Sequence, residues 1–436
     1  MHRSDENTLV ATPGHSDVKV VPLASILMLL PESPFPPRCG NAWRDAQQVA
    51  ILRDMGFRVR LVLIRRRPDL SAGEEDRALA DLDVSYATVP MRGLVESTFQ
   101  LGWRKASYLL GSARHASAWW MDLSRPATHI VAEIDRDPPS AIIIRSWFLH
   151  YIPELRRHHK GPIVVDCHDS DVHLAEEAVR SVRGVRKIGP WLNLLAVRRC
   201  CASYLHQADE IWVVSPQDAV RCAPNAGDVP LLVVPSGMRE PVGNEPLPGT
   251  DSTSMVIANY GYQPNDNGVR WLLQSVWPVV RKNIPDAVLH LVGGNMSLDL
   301  QSTAAQVAGV KVHGMVPDLD EVYREVGLIV VPILEGGGTR LKIVEAWSRG
   351  KAVLTTTKGA EGLPSPEACT VLADAPLEFA AGMAQLMLDR SARRELGARS
   401  LRKAREELSY TVIRRLIDSS SKLAALTDKR HQGASV

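Results

Sequence analysis

The feature that most constrains this chain is an alternation that runs along its length and starts twice. Short apolar runs bounded by turn residues, "ASILMLLP", "RVRLVLI", "VSYATV", "SAIIIRS", "PIVVDC", "DEIWVVS" and "PLLVVP", are separated by longer stretches of helical character. Runs of this kind read as strands buried on both faces, and strands spaced by helices give a parallel sheet. The stretch 236–254, "SGMREPVGNEPLPGTDSTS", carries Gly, Pro, Ser and Thr but no apolar period, which marks a linker. Beyond it the pattern restarts with "MVIANY", "AVLHLVGG", "GVKVHG", "LIVVPI", "KAVLTTT" and "CTVLA", interrupted by helices such as "NGVRWLLQSVWPVVRKN". The expected fold is α/β: two Rossmann-like, doubly wound parallel-sheet domains facing a central cleft, with ligands at the carboxyl ends of the strands. The expected boundaries are a flexible arm over 1–17, an N-terminal domain over 18–236, a linker over 237–254 and a C-terminal domain over 255–408. A helix and tail over 409–436 would cross back to the first domain.

Two domains agree with 436 residues at roughly 100–200 per domain and exclude a single small binding module. With 45% apolar and 23% charged residues the composition is that of an ordinary globular protein. A net charge of +2 offers no global attraction to nucleic acid, and no such partner is expected. The local clusters Arg65-Arg66-Arg67, Arg156-Arg157 and Arg198-Arg199 read either as solvated faces or as anion or membrane-facing patches. Cys39, Cys167, Cys200, Cys201, Cys222 and Cys369 form no Cys-x-x-Cys pair, so neither a zinc site nor a disulfide framework is expected. No apolar run reaches the roughly 18 residues of a membrane span. The first twenty residues, with Asp5, Glu6, His15, Asp17 and Lys19, lack the apolar block of a signal peptide, so a cytoplasmic location is expected.

Two stretches of the first half are less regular. Residues 93–120, with Trp103, Tyr108, Trp119 and Trp120, read as helices whose aromatics belong either to the core or to an acceptor or membrane surface. The segment 183–206 sets apolar residues between Arg183, Arg186, Lys187, Arg198 and Arg199, a pattern that fits a packed helix or an interfacial one.

The most informative window is "LIVVPILEGGGTRLKIVEAWSRGKAVLTTTKGAEGL" (328–363): a buried strand, three glycines, a basic stretch, a helix and another strand. Gly336, Gly337 and Gly338 let backbone amides approach a ligand closely, and the following helix start offers N–H groups and positive dipole to an anion. Thr339 stands where it can cap the helix or touch a phosphate oxygen, and Arg340 and Lys342 add charge, a combination suited to a diphosphate. The spacing is neither that of a Walker A loop nor G-x-G-x-x-G. Glu345, further along that helix, reaches either a ribose hydroxyl or a surface pair with Arg349 or Lys342.

This window resembles the C-terminal signature of the family 4 retaining glycosyltransferases, enzymes of the GT-B fold, and in particular bacterial polysaccharide-assembly members. "IANYGYQPNDNGVRWLLQSVWPVVRKNIPDAVLHLVGG", "VHGMVPDLDEVYREVGLIVVP" and "VVPSGM" continue the resemblance in order over roughly residues 25–410. It implies a hexosyltransferase that moves a sugar, with retention and without a metal ion or other cofactor, from a nucleotide-diphosphate sugar to a glycan, lipid-linked or other acceptor. The C-terminal domain would hold the donor and the N-terminal domain the acceptor, with peripheral contact to the inner membrane face. It further implies that Val316 meets the nucleobase through its main chain and Glu345 the ribose. Thr339, Arg340 and Lys342 with the glycine amides would hold the diphosphate, Gly40 would approach it from the other domain, and His168 would touch the donor sugar.

Two departures from the family pattern stand out. Eight positions before Glu345, where the family has a glutamate, stands Gly337, and Glu335 is the candidate substitute. The family's Arg and Lys after the first strand of the C-terminal domain are absent from "NYGYQPNDNG" (259–268), which leaves the phosphates to Arg340 and Lys342. Asp169-Ser170-Asp171 spells a D-x-D, with Asp166, His168 and His173 beside it, but a basic phosphate site makes a cation redundant. The rival functions are a nucleotide-sugar epimerase or a phosphorylase of the same fold, the latter expected to be larger and to need pyridoxal phosphate. A degenerate, non-catalytic partner subunit is the rival outside enzymes.

Overall fold

Every apolar run singled out in the sequence forms a strand. The computed structural model describes residues 24–35, 37, 39–65, 82–88, 124–238, 245–247, 249–337 and 340–426. The arm 1–17, the aromatic segment 93–120, Arg66, Arg67, and the site candidates Gly338 and Thr339 lie outside the described residues. In the first domain the strands are β1 (Ser25–Leu30), β2 (Arg58–Arg65), β3 (Asp83–Thr88), β4 (Ala141–Arg145), β5 (Ile163–Cys167), β6 (Glu210–Val213) and β7 (Leu231–Val233). In the second they are β8 (Thr250–Ile257), β9 (Val288–Val292), β10 (Val310–Gly314), β11 (Val326–Val331), β12 (Ala352–Thr355) and β13 (Val371–Leu372). All pairings are parallel, in the orders β3-β2-β1-β4-β5-β6-β7 and β10-β9-β8-β11-β12-β13. β8 begins at Thr250, inside the stretch that sequence assigns to the linker. Its polar first half, Thr250 to Ser254, hides the strand from an apolar-run search and is held by pairing to β9 and β11.

The alternation within each strand serves two cores. Along β1, Ile26, Met28 and Leu30 face one cluster and Leu27 and Leu29 the other, so both faces of the sheet are covered, as parallel sheets require. The second sheet is sandwiched in the same way, with Trp277 on one side and Trp347 on the other. In the helix Gln263–Trp271, the ladder widens into a π turn over Leu272–Val276 just before Pro278, whose missing N–H cannot continue a regular ladder.

The chain ends on the domain it began with. Helix Arg390–Leu408 packs Ala404 and Leu408 into the second domain, and the next helix, Tyr410–Asp418, delivers Ile413 and Ile417 to the first. Leu423 follows into the same cluster, and the Tyr410 hydroxyl donates to Asp54 Oδ2 at 2.5 Å.

Candidate functional site

Each sheet has a switch point, between β1 and β4 in the first and between β8 and β11 in the second, where connections depart in opposite directions and open a crevice. The chain leaving β1 turns through Cys39 into helix Gly40–Asp54. The chain leaving β11 passes through Glu335, Gly336 and Gly337 into helix Leu341–Ser348. These helix starts meet across the gap between the domains: a Cβ on Gly40 would lie 3.0 Å from Leu341 Cδ1. The partial positive charge of both helix N-termini therefore lies where the two domains meet. The cleft holds about 590 Å³ of solvent-open space and is lined from both sides, by His168, Asp169, His173 and Arg221 and by Gly337, Arg340 and Glu361.

Gly336 is required by the backbone, and Gly337 is set against a neighbouring side chain. Gly336 has φ of +87°, and a Cβ there would lie 2.9 Å from the Tyr262 hydroxyl and 2.8 Å from Pro264. Gly337 is crowded by the opposite domain, where a Cβ would come within 2.1 Å of Leu174 Cδ2 and 3.5 Å of Asp169 Oδ1. A side chain at 337 would have to push Leu174 aside.

Arg340 is buried and its fork clamps the turn. Nη1 donates to the Gly337 carbonyl at 3.1 Å, and Nη2 donates to the carbonyls of Gly336 and Lys358, each at 3.0 Å. Its buried Nε has no hydrogen-bond partner among the described residues, and desolvation lowers the guanidinium pKa. Lys342 Nζ donates to a neutral partner, Asn265 Oδ1, at 2.7 Å. Burial of its ammonium, with Arg340 close by, brings its pKa down to about 7. An anion held beside it would raise that pKa, so above pH 7 binding must take up a proton. We expect anion affinity to fall about tenfold between about pH 6 and pH 8 in the wild-type chain and to lose this dependence in Lys342→Met. Titration calorimetry in buffers of different ionisation enthalpy checks this, and a pH-independent affinity would refute it.

The remaining candidates are positioned as follows. Glu345 Oε1 lies 3.5 Å from Arg349 Nη1, the i+4 pair that sequence offered as the alternative to a ribose contact. Arg349 also meets Asp320 at 2.5 Å and stacks over Tyr323, 4.6 Å from its ring centre. It thereby ties Glu345 to the helix Leu319–Glu325 that follows Val316, whose side chain packs partly into the core. Glu335 accepts from Asn267 Nδ2 at 2.5 Å, within its own domain. His168 is buried, with Nε2 2.7 Å from Asp166 Oδ2 and Nδ1 3.2 Å from Asn41 Oδ1, so both ring nitrogens are engaged within the first domain.

Behind His168 lies a network that the sequence did not announce. Arg44, fully buried, donates to both oxygens of Asp166 at 2.6 and 3.2 Å and to the Val234 carbonyl at 2.5 Å. Gln48 adds a bond to Asp166 at 3.0 Å, and Arg145 pairs with Asp45 at 2.7 Å. Burial opposes charge on Asp166, but Arg44 and His168 outweigh it and hold the carboxyl well below its usual range. Arg44 and Asp166 are 122 residues apart, so no local pattern links them.

A second set of charges spans the cleft. Lys358 pairs with Glu361 at 2.5 Å and with Glu177 of the first domain, and Arg221 of the first domain pairs with Glu361. Burial alone would raise the Glu361 pKa, yet Lys358 and Arg221 pull it down to about 2. Among the described residues two acidic groupings have ligand-like spacing, Asp45–Asp166–His168 and His173–Glu177–Glu361. In the first, Arg44 and Arg145 already face the carboxylates, and in the second, Lys358 and Arg221 do. Asp171 of the D-x-D is half-buried, with its pKa raised by desolvation, while Asp169 lines the cleft.

Residues 252–389 match the glycosyl transferases group 1 family. No curated protein matches the chain in sequence. Among solved structures, Anabaena HepE in complex with UDP and glucose is similar at 13% identity and a TM-score of 0.59, over 90% of this chain and 98% of that one. WaaG, a glycosyltransferase involved in lipopolysaccharide biosynthesis, is similar at 13% identity and a TM-score of 0.57, over 91% and 99%. A Staphylococcus aureus TarM variant in complex with fondaparinux, alpha-GlcNAc-glycerol and UDP is similar at 10% identity and a TM-score of 0.62, over 90% and 99%. At these identities the likeness is one of fold, and the fold is GT-B.

Proposed function

We propose that the chain is a retaining glycosyltransferase that moves a hexosyl group from a nucleotide-diphosphate sugar to a glycan or lipid-linked acceptor, in the cytoplasm and without a bound cation or other cofactor. The observation that carries this reading is the meeting of two helix N-termini beside a glycine turn at the interdomain cleft, with Arg340 on that turn and Lys342 one helical turn behind it. The group 1 match over 252–389, which contains that turn, supports it, as do fold relatives solved with UDP.

In this reading the base lies against the Val316 main chain and the ribose against Glu345. The diphosphate lies on the amides of the turn, including Gly338 and Thr339, with Gly40 closing from the first domain. Breaking the sugar–phosphate bond builds negative charge on the departing diphosphate, where the helix starts and Lys342 stabilise it and Arg340 fixes the turn. His168 and Glu335 border the sugar. The cross-cleft pairs of Glu361 hold the domains together, which excludes water and aligns the acceptor.

Calorimetric titration with nucleotide and with nucleotide sugar tests the assignment. Glu345→Gln should weaken both about tenfold, since a charged hydrogen bond contributes about 1.5–3 kcal/mol and the ribose belongs to both ligands. Glu335→Gln should spare nucleotide binding and reduce transfer. If Glu345 serves its pair with Arg349 alone, its substitution costs a few tenths of a kcal/mol in stability and nothing in binding, and the ribose assignment fails.

A further inference from the structure

The stretch 259–268 runs from the end of β8 into the helix Gln263–Trp271 and carries no Lys or Arg. Its side chains nonetheless reach the residues that follow β11, the strand beside β8: Asn267 holds Glu335, and Asn265 holds Lys342. Asn265 is 8% exposed, and its Oδ1 accepts from Lys342 Nζ at 2.7 Å. Its Nδ2 donates to the Asn259 carbonyl at 2.8 Å. The amide is thereby fixed, since turning it round would set an NH₂ group against an ammonium and a carbonyl oxygen against another.

An amide is the weaker partner for a cation withdrawn from water. Such a lysine is ordinarily met by a carboxylate, yet among the described residues none pairs with Lys342. The neighbourhood does not lack an acid. Asp266, the next residue along and the single Asp or Glu of the stretch 259–268, is turned to Arg270, whose Nε donates to it at 2.7 Å. Desolvation and repulsion from Arg340 both work against the Lys342 charge, which is why its pKa falls to about 7. Stability alone gives no reason for this arrangement, because a carboxylate at 265 would hold the ammonium more strongly. What the neutral partner preserves is charge: Lys342 is held in place without being neutralised.

We infer that Asn265 is a positioning residue, whose neutral oxygen fixes the Lys342 ammonium and reserves its charge for a phosphate-bearing ligand. The inference rests on the reading of the cleft as a diphosphate site and names the residue that keeps the site's cation available. A carboxylate at 265 would be an internal anion in competition with the ligand. A cation poorly satisfied in the free protein gains most from the ligand that satisfies it, so the amide exchanges some folding stability for affinity.

Two readouts on the full chain test it. One is calorimetric titration with inorganic pyrophosphate, and the other is the titration midpoint of Lys342 in spectra of isotope-labelled lysine, its resonance assigned by its loss in Lys342→Met. Asn265→Asp should bind pyrophosphate at least about tenfold more weakly than wild type at about pH 6, lose the weakening between about pH 6 and pH 8, and raise the Lys342 midpoint above about 9. Asn265→Ala removes the oxygen without adding charge and should keep the pH dependence, because Lys342 still titrates. In the wild-type chain pyrophosphate itself should raise the midpoint, a result that needs no variant to fold. If Asn265 is merely structural, both variants shift the unfolding temperature and leave the midpoint and the pH dependence where they are, which would overturn the inference. So would pyrophosphate binding that does not move the wild-type midpoint, although the diphosphate reading would then stand. A wild-type chain that binds no pyrophosphate would sink that reading, and this inference with it.

Discussion

Arg44→Leu is expected to destabilise the protein by about 3–5 kcal/mol, because it removes one partner of a buried ion pair and leaves the other charged. Both side chains are 1% exposed, and Arg44 makes two bonds to Asp166 and one to the Val234 carbonyl. In the variant, among the described residues, Gln48 and His168 remain to satisfy Asp166. Chemical denaturation measures the loss. The double variant Arg44→Leu/Asp166→Asn should recover most of it, since removing both charges removes the desolvation cost with them. A cost below about 1 kcal/mol for the single variant would mean that the pair is solvated or relaxes freely.

Arg340→Ala should lower sugar transfer about 10²-fold, the loss expected when a misplacement of about 1 Å is passed to the reacting groups by a residue that only positions them. One planar fork satisfies the carbonyls of Gly336, Gly337 and Lys358, and so fixes the turn that brings Gly337 to the cleft. Arg340→Lys should not rescue the activity, because a single ammonium cannot span three carbonyls in the plane of a guanidinium. Single-turnover transfer assays on both variants, alongside thermal unfolding, decide the matter. Near-wild-type transfer by Arg340→Lys would show that charge alone is what matters there.

The strands were legible because burial on both faces leaves an uninterrupted apolar run, as in "SAIIIRS" or "LIVVPI", and only a polar start such as that of β8 escapes. The glycine turn was legible for a related reason. A backbone that must reach φ of +87° at Gly336 and admit Leu174 beside Gly337 leaves a local trace in residue type. Long-range charge pairs leave none. Nothing near Arg44 names Asp166, and nothing near Arg221 or Lys358 names Glu361, since each pair forms only when distant segments fold together. The role of Arg340 was visible as charge but not as a clamp, because the carbonyls it serves are backbone and carry no sequence signal. Likewise the segment 183–206 announced both apolar and basic character, while only the fold shows which apolar residues stay outside.

The return of the last helices to the first domain bears on the order of events at the ribosome. Ile413, Ile417 and Leu423 fill a core whose other members lie between Ile26 and Val234, so the first domain is made early but closed last. Roughly 190 residues separate β7 from Leu423, which at about 5–20 residues per second leaves the apolar underside of that sheet open for roughly 10–40 s of synthesis. The nascent first domain is therefore a natural client for chaperones. A chain stopped after residue 408 would carry both sheets yet leave one core unsealed, and its expected fate is aggregation rather than a smaller active enzyme.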